Sequence, residues 1–340
     1  MGNDFVENGE KHDMIVPARA GSTSSSDASG NLPAKLYAVD ESFRSYIESL
    51  KQFGFVDAET GETAYMLERT SYAHLAYYFR SVLSAARKSG TAPTVKAVHD
   101  VMTLDRRFQS VVFKYIGLVE SQVRSQYSHW MKVEHGYFPH HDGTLFLNLR
   151  NYEDARKSYD REASRAKRNN RIIRESANQN GGKIPIDLAV QVMSLGVLSR
   201  FFSNTANLAV THGVAASFGV KRDELSGWLR SIADTRNVFA HFGAYLSRAQ
   251  MPTTPMKIRG LEVDNSTPPF IAYLVAYLLA GDVKTRDLNL DYARTMSFEL
   301  SSTIEPFEKM YPLLMKELNF PPEWRSALQS AMELGRKKLG

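Results

Sequence analysis

Residues 236–241 read Arg-Asn-Val-Phe-Ala-His and contain the residue types that metal-free cleavage of a phosphodiester needs. A histidine transfers protons near neutral pH, so His241 is a candidate general acid or base. Arg236 can bind a phosphate and offset the charge that develops on it. Asn237 can orient His241 or the phosphate. RNA supplies its own 2′-hydroxyl as the nucleophile, so the chemistry needs neither a metal nor a protein nucleophile. The hexapeptide therefore predicts a ribonuclease site.

The spacing alone is weak evidence, because Arg-x4-His occurs three times in the chain. Arg69–His74 and Arg124–His129 lack an asparagine directly after the arginine, and we expect both pairs to be structural. Helical residues four apart are neighbours, which places Asn237 beside His241. Arg236 lies about 140° around the helix from His241, a gap that a long side chain can cross. The alternative is a surface arginine and histidine with no catalytic role.

Composition narrows the class of protein. The 340 residues are 43% apolar and 23% charged, as in ordinary globular proteins. The absence of cysteine excludes disulfides, thiolate zinc sites and a cysteine nucleophile. The longest apolar run, residues 270–280, is too short to span a membrane, and the acidic first residues do not resemble a signal peptide. We expect a cytoplasmic protein with no membrane partner, no metal site and no cofactor.

The charge distribution favours a polyanionic partner. The net charge is +5, but residues 1–33 carry −3 and the remainder therefore carries +8. Residues 150–174 contain nine bases and four acids. Four of those bases share one helix face at spacings of three and four, which predicts an RNA-binding surface: Lys157, Arg161, Arg165 and Arg168. The alternative is a solvated helix that carries charges of both signs.

Hydrophobic periodicity predicts an all-α fold. We divide the chain into a disordered Ser-rich tail (1–33), an N-terminal helical region (34–95), a helical core (96–250) and a C-terminal helical region (251–340). Residues 256–264 are predicted to be extended. The predicted helical segments are 36–53, 60–88 (as two short helices), 94–133, 186–218, 222–250, 268–280, 287–303, 305–318 and 322–337.

Several segments between residues 36 and 250 together resemble the AbiD/AbiF-type (Abi-like) abortive-infection family. The most specific is Trp228–His241 followed by Arg248, which resembles the signature helix of that family. Phe242–Ser247 depart from the His-x-Arg-Leu-Trp-Asn that usually follows the signature. The other similar segments are Ile47–Gly54, Leu67–Leu75, Leu104–Arg106, Val119–Ser125, Ile184–Ile186 and Met193–Ser199.

The resemblance implies a helical bundle of the HEPN (higher eukaryotes and prokaryotes nucleotide-binding) superfamily, extended by N- and C-terminal helices. It also implies that Arg236, Asn237 and His241 are the ribonuclease residues. In-line cleavage needs a base on one side of the phosphorus and an acid on the other. The HEPN resemblance therefore implies a homodimer that joins two signature helices in one composite site. We expect Glu120 and Arg124 to support this helix from behind.

Three functions are consistent with the sequence. The leading hypothesis is a metal-independent endoribonuclease of prokaryotic anti-phage defence, with Arg248 and the 150–174 face contacting RNA. The second is a non-catalytic RNA-binding or scaffold protein. The third is the partner-binding component of a toxin–antitoxin pair, to which the acidic tail would contribute. Each of these functions is compatible with regulation by a cognate RNA or protein.

Overall fold

The computed structural model describes residues 43–282, 288 and 291–337. The predicted all-α class is confirmed, since the described residues form helices and no strand. The predicted tail at residues 1–33 and the first residues of the 36–53 helix lie outside the described residues. The helices are α1 (Arg44–Gln52), α2 (Gly61–Arg69), α3 (Tyr72–Ser89), α4 (Val95–His135), α5 (Leu149–Asn169), α6 (Arg171–Gln179), α7 (Ile186–Val192), α8 (Leu195–Asn204), α9 (Leu208–Ala216), α10 (Arg222–Ala240), α11 (Phe270–Ala280), α12 (Tyr292–Met310), α13 (Pro312–Glu317) and α14 (Trp324–Lys337).

The 41-residue helix α4 is the central element of the fold. At 1.5 Å per residue it spans about 60 Å. Its N-terminus is capped twice, because the Thr94 hydroxyl accepts the Ala97 N–H and the Asp57 carboxylate accepts the N–H groups of Val95 and Lys96. Its apolar stripe is buried and contacts helices on several sides, including α3, α9, α10, α11 and α12. Residues on α4 can therefore support a site formed mainly by other helices.

The most apolar helix, α11, is a core helix. All eleven of its residues are buried, and it packs against α4, α12 and α14. Gly335 of α14 lies so close to α11 that an added Cβ would be 2.4 Å from the carbonyl oxygen of Tyr277, which explains a glycine within that helix. None of the helices in the described part of the chain combines the length and the apolar character that crossing a membrane demands.

Several predicted boundaries were wrong. The helix predicted over 222–250 ends at Ala240. The helices predicted over 287–303 and 305–318 are α12 and α13, and α12 continues through Pro306 to Met310. The 186–218 segment contains three helices, α7 to α9, and the basic 150–174 segment is divided at Asn170 between α5 and α6. Residues 256–264 form no strand and are irregular.

Candidate active site

Helix α10 presents the hexapeptide at its C-terminal end. The helix begins with an acidic first turn, in which the Glu224 carboxylate accepts the Lys221 N–H at 3.0 Å. Its apolar face, which includes Trp228, Ile232 and Phe239, is buried. Burial of this face fixes the rotation of the helix and leaves the other side open to solvent.

Arg236 faces α4. Its Nε lies 3.8 Å from Oε2 of Glu120, and its guanidinium carbon lies 5.7 Å from the centre of the Phe113 ring. The side chain is 34% exposed, yet Nε is buried and has no hydrogen-bond partner. The guanidinium is therefore held against α4 by charge and by an aromatic ring.

Glu120 lies between two arginines. One carboxylate oxygen accepts a hydrogen bond from Nη2 of Arg124, one turn further along α4, while the other faces Arg236. The side chains of Glu120 and Arg124 are only 14% and 12% exposed. Two guanidinium groups around one carboxylate leave a local charge of +1, which suits the binding of an anion. Glu120 thus faces Arg236 directly, and Arg124 is linked to Arg236 only through Glu120.

His241 is the C-cap of α10 and not a residue within the helix. The turn after it is a Schellman motif, in which Gly243 N–H donates to the carbonyl of Val238 and Phe242 N–H donates to that of Phe239, both at 3.0 Å. Phe242 has the left-handed backbone conformation of this motif, with φ of 51°. The motif ends the helix and leaves the His241 side chain exposed.

A buried carboxylate anchors the chain that follows His241. Asp105 of α4 accepts the N–H groups of Tyr245 at 2.8 Å and Leu246 at 3.1 Å, together with the Tyr78 hydroxyl at 2.9 Å. Gln109 donates both to Asp105 at 3.0 Å and to the carbonyl of Gly243 at 2.9 Å. Burial raises the pKa of Asp105, and the four donated hydrogen bonds oppose this increase.

His241 lines a shallow depression of about 290 Å³ at the junction of four elements. The end of α2, the start of α3, the first third of α4 and the turn after α10 meet there. The lining contains no carboxylate and consists of Arg69, Thr70, Ser71, His74, Arg106, His241 and Phe242. Sequence reasoning set Arg69 and His74 aside as structural and noted Arg106 only as part of the similar segment Leu104–Arg106. No local pattern relates these residues to position 241, so only the packing of the helices reveals their proximity.

His74 is the second histidine of this depression. Its Nε2 is buried without a hydrogen-bond partner, and its ring contacts Tyr77 and Tyr78 edge-on. Burial lowers the pKa of His74, and the nearby Arg106 guanidinium lowers it further. The neutral imidazole is therefore favoured at this position.

The three signature side chains face different surroundings. Asn237 is exposed and lines a separate polar groove of about 730 Å³ between α5, α8 and α10, which also contains Arg200 and Arg230. Arg236 faces α4, whereas His241 faces the depression. Among the described residues, no hydrogen bond joins the side chains of the three. The side chains of Asn237 and His241 therefore face two different open surfaces, while Arg236 packs against α4.

The predicted basic face on α5 is exposed. Within the described chain, no carboxylate lies within 4.0 Å of the terminal nitrogens of Lys157, Arg161, Arg165 or Arg168. The neighbouring acids have other partners, since Asp160 pairs with Arg156 at 3.0 Å and Glu162 accepts the Ser194 N–H at 2.8 Å. Arg248 differs from these four residues, because its Nε donates to the carbonyl of Ala244 at 2.6 Å.

The adjacent histidines His140 and His141 lie in a short 3₁₀ turn, away from the hexapeptide in sequence. His140 is fully buried against Tyr159, and neither ring nitrogen has a hydrogen-bond partner. Burial lowers the pKa of His140 to about 3 and that of His141 to about 4. The described residues contain no group of three His, Cys, Asp or Glu arranged to hold a metal ion.

Comparison with known proteins identifies one relationship. A family model described as Abi-like protein matches residues 65–245. The match covers just over half of the chain, from α2 to the turn after α10, and includes Glu120, Arg236 and His241. No curated protein and no solved structure matched the chain.

Proposed function

The chain belongs to the Abi-like protein family, and from this premise we propose that it is a metal-independent endoribonuclease of prokaryotic anti-phage defence. The observation that carries the proposal is the position of Arg236 and His241 at the exposed end of α10. Arg236 is held by Glu120 and its side chain is 34% exposed, and His241 is exposed on a depression that has two other arginines and no acid. Such a site favours binding of an RNA phosphate next to a proton-transferring group.

The reaction transfers two protons. A base takes the proton of the 2′-hydroxyl, whose oxygen then bonds to the adjacent phosphorus and forms a 2′,3′-cyclic phosphate. The bond from phosphorus to the 5′-oxygen breaks, and an acid protonates the leaving oxygen. His241 performs one of these transfers. Arg236 stabilises the negative charge on the phosphoryl oxygens, and Asn237 orients the phosphate or the substrate strand.

We assign the second transfer to a partner chain. One histidine cannot act on both sides of the same phosphorus, so two copies of α10 in a homodimer would contribute one His241 each to a composite site. The exposed C-terminal end of α10 is open to such an approach. A cognate RNA or protein regulator could control activity by blocking this surface.

Cleavage assays with matched variants test the proposal. Total RNA or a single-stranded oligonucleotide is incubated with wild type, Arg236→Ala, His241→Ala and His129→Ala. His129→Ala is the control, because His129, like His241, is exposed and lies five positions after an arginine. We expect losses of about 100-fold or more for the first two variants and near wild-type activity for the third. Equal activity of His241→Ala and wild type would refute the assignment.

The second candidate function, RNA binding without cleavage, is favoured by the unpaired basic face on α5. Each bound phosphate contributes about 0.7 to the slope of log affinity against log salt for single strands. Reversal of Arg161, Arg165 and Arg168 to Glu is expected to lower both the affinity for RNA and this slope. If these reversals abolish every effect of the protein that depends on RNA, and His241→Ala changes none of those effects, RNA binding without cleavage is the function.

A further inference from the structure

Phe242 has an unexpected backbone conformation for its residue type. With φ of 51° it occupies the left-handed position of the Schellman motif, where glycine is usual because a Cβ is disfavoured. The only other described residue besides glycine with a positive φ is Asn319, and asparagine tolerates this conformation far better. A phenylalanine at this position makes the helix end less stable than a glycine would.

Packing does not compensate for this strain. The Phe242 side chain is 72% exposed, and within the described chain no aromatic ring pairs with it. The next ring along the chain, that of Tyr245, is instead fully buried and packs edge-on against Phe239 at 4.8 Å. A strained backbone that supports an exposed, unpartnered ring points to a ligand that contacts this ring.

The surroundings of the ring indicate the chemistry of that ligand. Phe242 borders the depression that contains His241, Arg69 and Arg106, and no carboxylate lines it. Arg69 already lies over the Tyr65 ring and contacts Glu68 at 3.4 Å. Arg106 is exposed, and no described carboxylate lies within 4.0 Å of it. An unpartnered aromatic ring beside an unpaired guanidinium is the combination that binds a base and its phosphate in single-stranded nucleic acids.

We propose that Phe242 is a stacking platform for a nucleobase of single-stranded RNA and that Arg106 binds the adjacent phosphate. The inference rests on the proposed ribonuclease function, and it specifies the substrate class of the same site. Stacking of a base on Phe242 places the sugar and phosphate of that nucleotide next to His241, the preceding residue. Phe242 is thus a substrate-positioning residue, and duplex RNA, whose bases are already stacked, is a poor ligand.

The test separates binding from folding, because the two respond in opposite directions to one substitution. Phe242→Gly removes the ring and relieves the left-handed strain, so Tm should rise by about 2 °C or more. Affinity for a fluorescent single-stranded oligoribonucleotide, measured in the non-cleaving His241→Ala background, should fall about 5- to 100-fold. Phe242→Trp should retain or increase the affinity. Arg106→Gln should lower the affinity and flatten its salt dependence.

Asn319→Gly is the matched control, since it places glycine at the other left-handed position and should not affect RNA binding. A more stable Phe242→Gly protein with unchanged affinity would overturn the proposal, and so would a less stable one, which would show that the ring stabilises the fold. Failure of the His241→Ala protein to bind any single-stranded RNA would also overturn it. Phe242-dependent binding by a protein that never cleaves RNA would instead support the stacking site and refute the ribonuclease.

Discussion

Nε of Arg236 lies 3.8 Å from the carboxylate of Glu120, which also binds Arg124. The two arginines are on different helices, so Glu120 connects the candidate site on α10 to the central helix α4. A long arginine side chain on a helix surface samples many rotamers, and ordering it for a ligand costs free energy. The carboxylate holds Arg236 before a substrate arrives. Much of the free-energy cost of ordering this side chain therefore belongs to folding and not to substrate binding.

Glu120→Gln should impair cleavage while the protein stays folded. The amide keeps the shape and can still accept from Arg124, but it loses the charge that attracts Arg236. We expect a fall of about 10- to 100-fold in kcat with little change in KM, since the arginine acts mainly on the transition state. Glu120→Ala is the harsher variant, because an unpaired buried Arg124 destabilises the fold by about 3–5 kcal/mol. A normal kcat for Glu120→Gln would show that Arg236 needs no positioning.

Asp105→Asn should loosen the chain that follows His241. Each carboxylate oxygen of Asp105 accepts two hydrogen bonds, so the new amide group must face two of the four donors. At least one buried pair is therefore lost, at about 1–3 kcal/mol. We expect a lower Tm and lower cleavage activity, measured by thermal unfolding and RNA cleavage on the same sample. Tyr78→Phe removes a single donor and should produce a smaller loss of Tm. A greater loss for Tyr78→Phe would contradict this account of the anchor.

His140 should make the fold sensitive to acid. Its pKa is lowered in the folded protein to about 3, so the unfolded chain binds the proton more readily below its own pKa of about 6.5. Stability is therefore complete above pH 6.5 and decreases as the pH falls towards 3. The loss at pH 4.5 is about 3 kcal/mol from this residue. His140→Phe should reduce the difference in Tm between pH 7 and pH 4.5, and an unchanged difference would exclude His140 as its origin.

The composite site predicts a dependence on dimerisation. Activity per chain should fall when the protein is diluted below its dimer dissociation constant, which sedimentation measures in parallel. His74→Ala should retain activity to within about threefold, because the partner's His241 supplies the second proton transfer. If the protein is fully active as a monomer and His74→Ala inactivates it, the composite site is refuted. The acid–base pair would then be His74 and His241 of one chain, within the depression that they share.

Hydrophobic periodicity predicted the positions of the helices more accurately than the residues at which they end. The buried stripe of α4 and the apolar α11 follow from residue type and spacing alone, because burial on one face dictates that pattern. The end of α10 was not predicted, since glycine is the usual signal at the left-handed position and Phe242 occupies it instead. The Asp105 anchor holds this turn through contacts about 140 residues apart in sequence, to which no local rule applies.

The candidate site was predicted in part. Residue chemistry identified the hexapeptide, but helical spacing predicted Asn237 beside His241, whereas their side chains face different surroundings. The orientation of Arg236 towards α4 depends on how two helices pack, which spacing within one helix does not determine. The same reason explains why Arg69 and His74, judged structural from the sequence, lie beside His241 in the fold. Arg106 belongs to the similar segment Leu104–Arg106, but only the fold shows that it lies beside His241.

The most informative test of the proposed ribonuclease activity is cleavage of a 5′-labelled single-stranded RNA by the purified protein in excess EDTA, with chemical identification of the new ends. We expect unimpaired cleavage that leaves 2′,3′-cyclic phosphate or 3′-phosphate ends, and no cleavage where the 2′-hydroxyl is replaced by hydrogen. Loss of cleavage in EDTA, or 5′-phosphate ends in its place, would contradict the proposal.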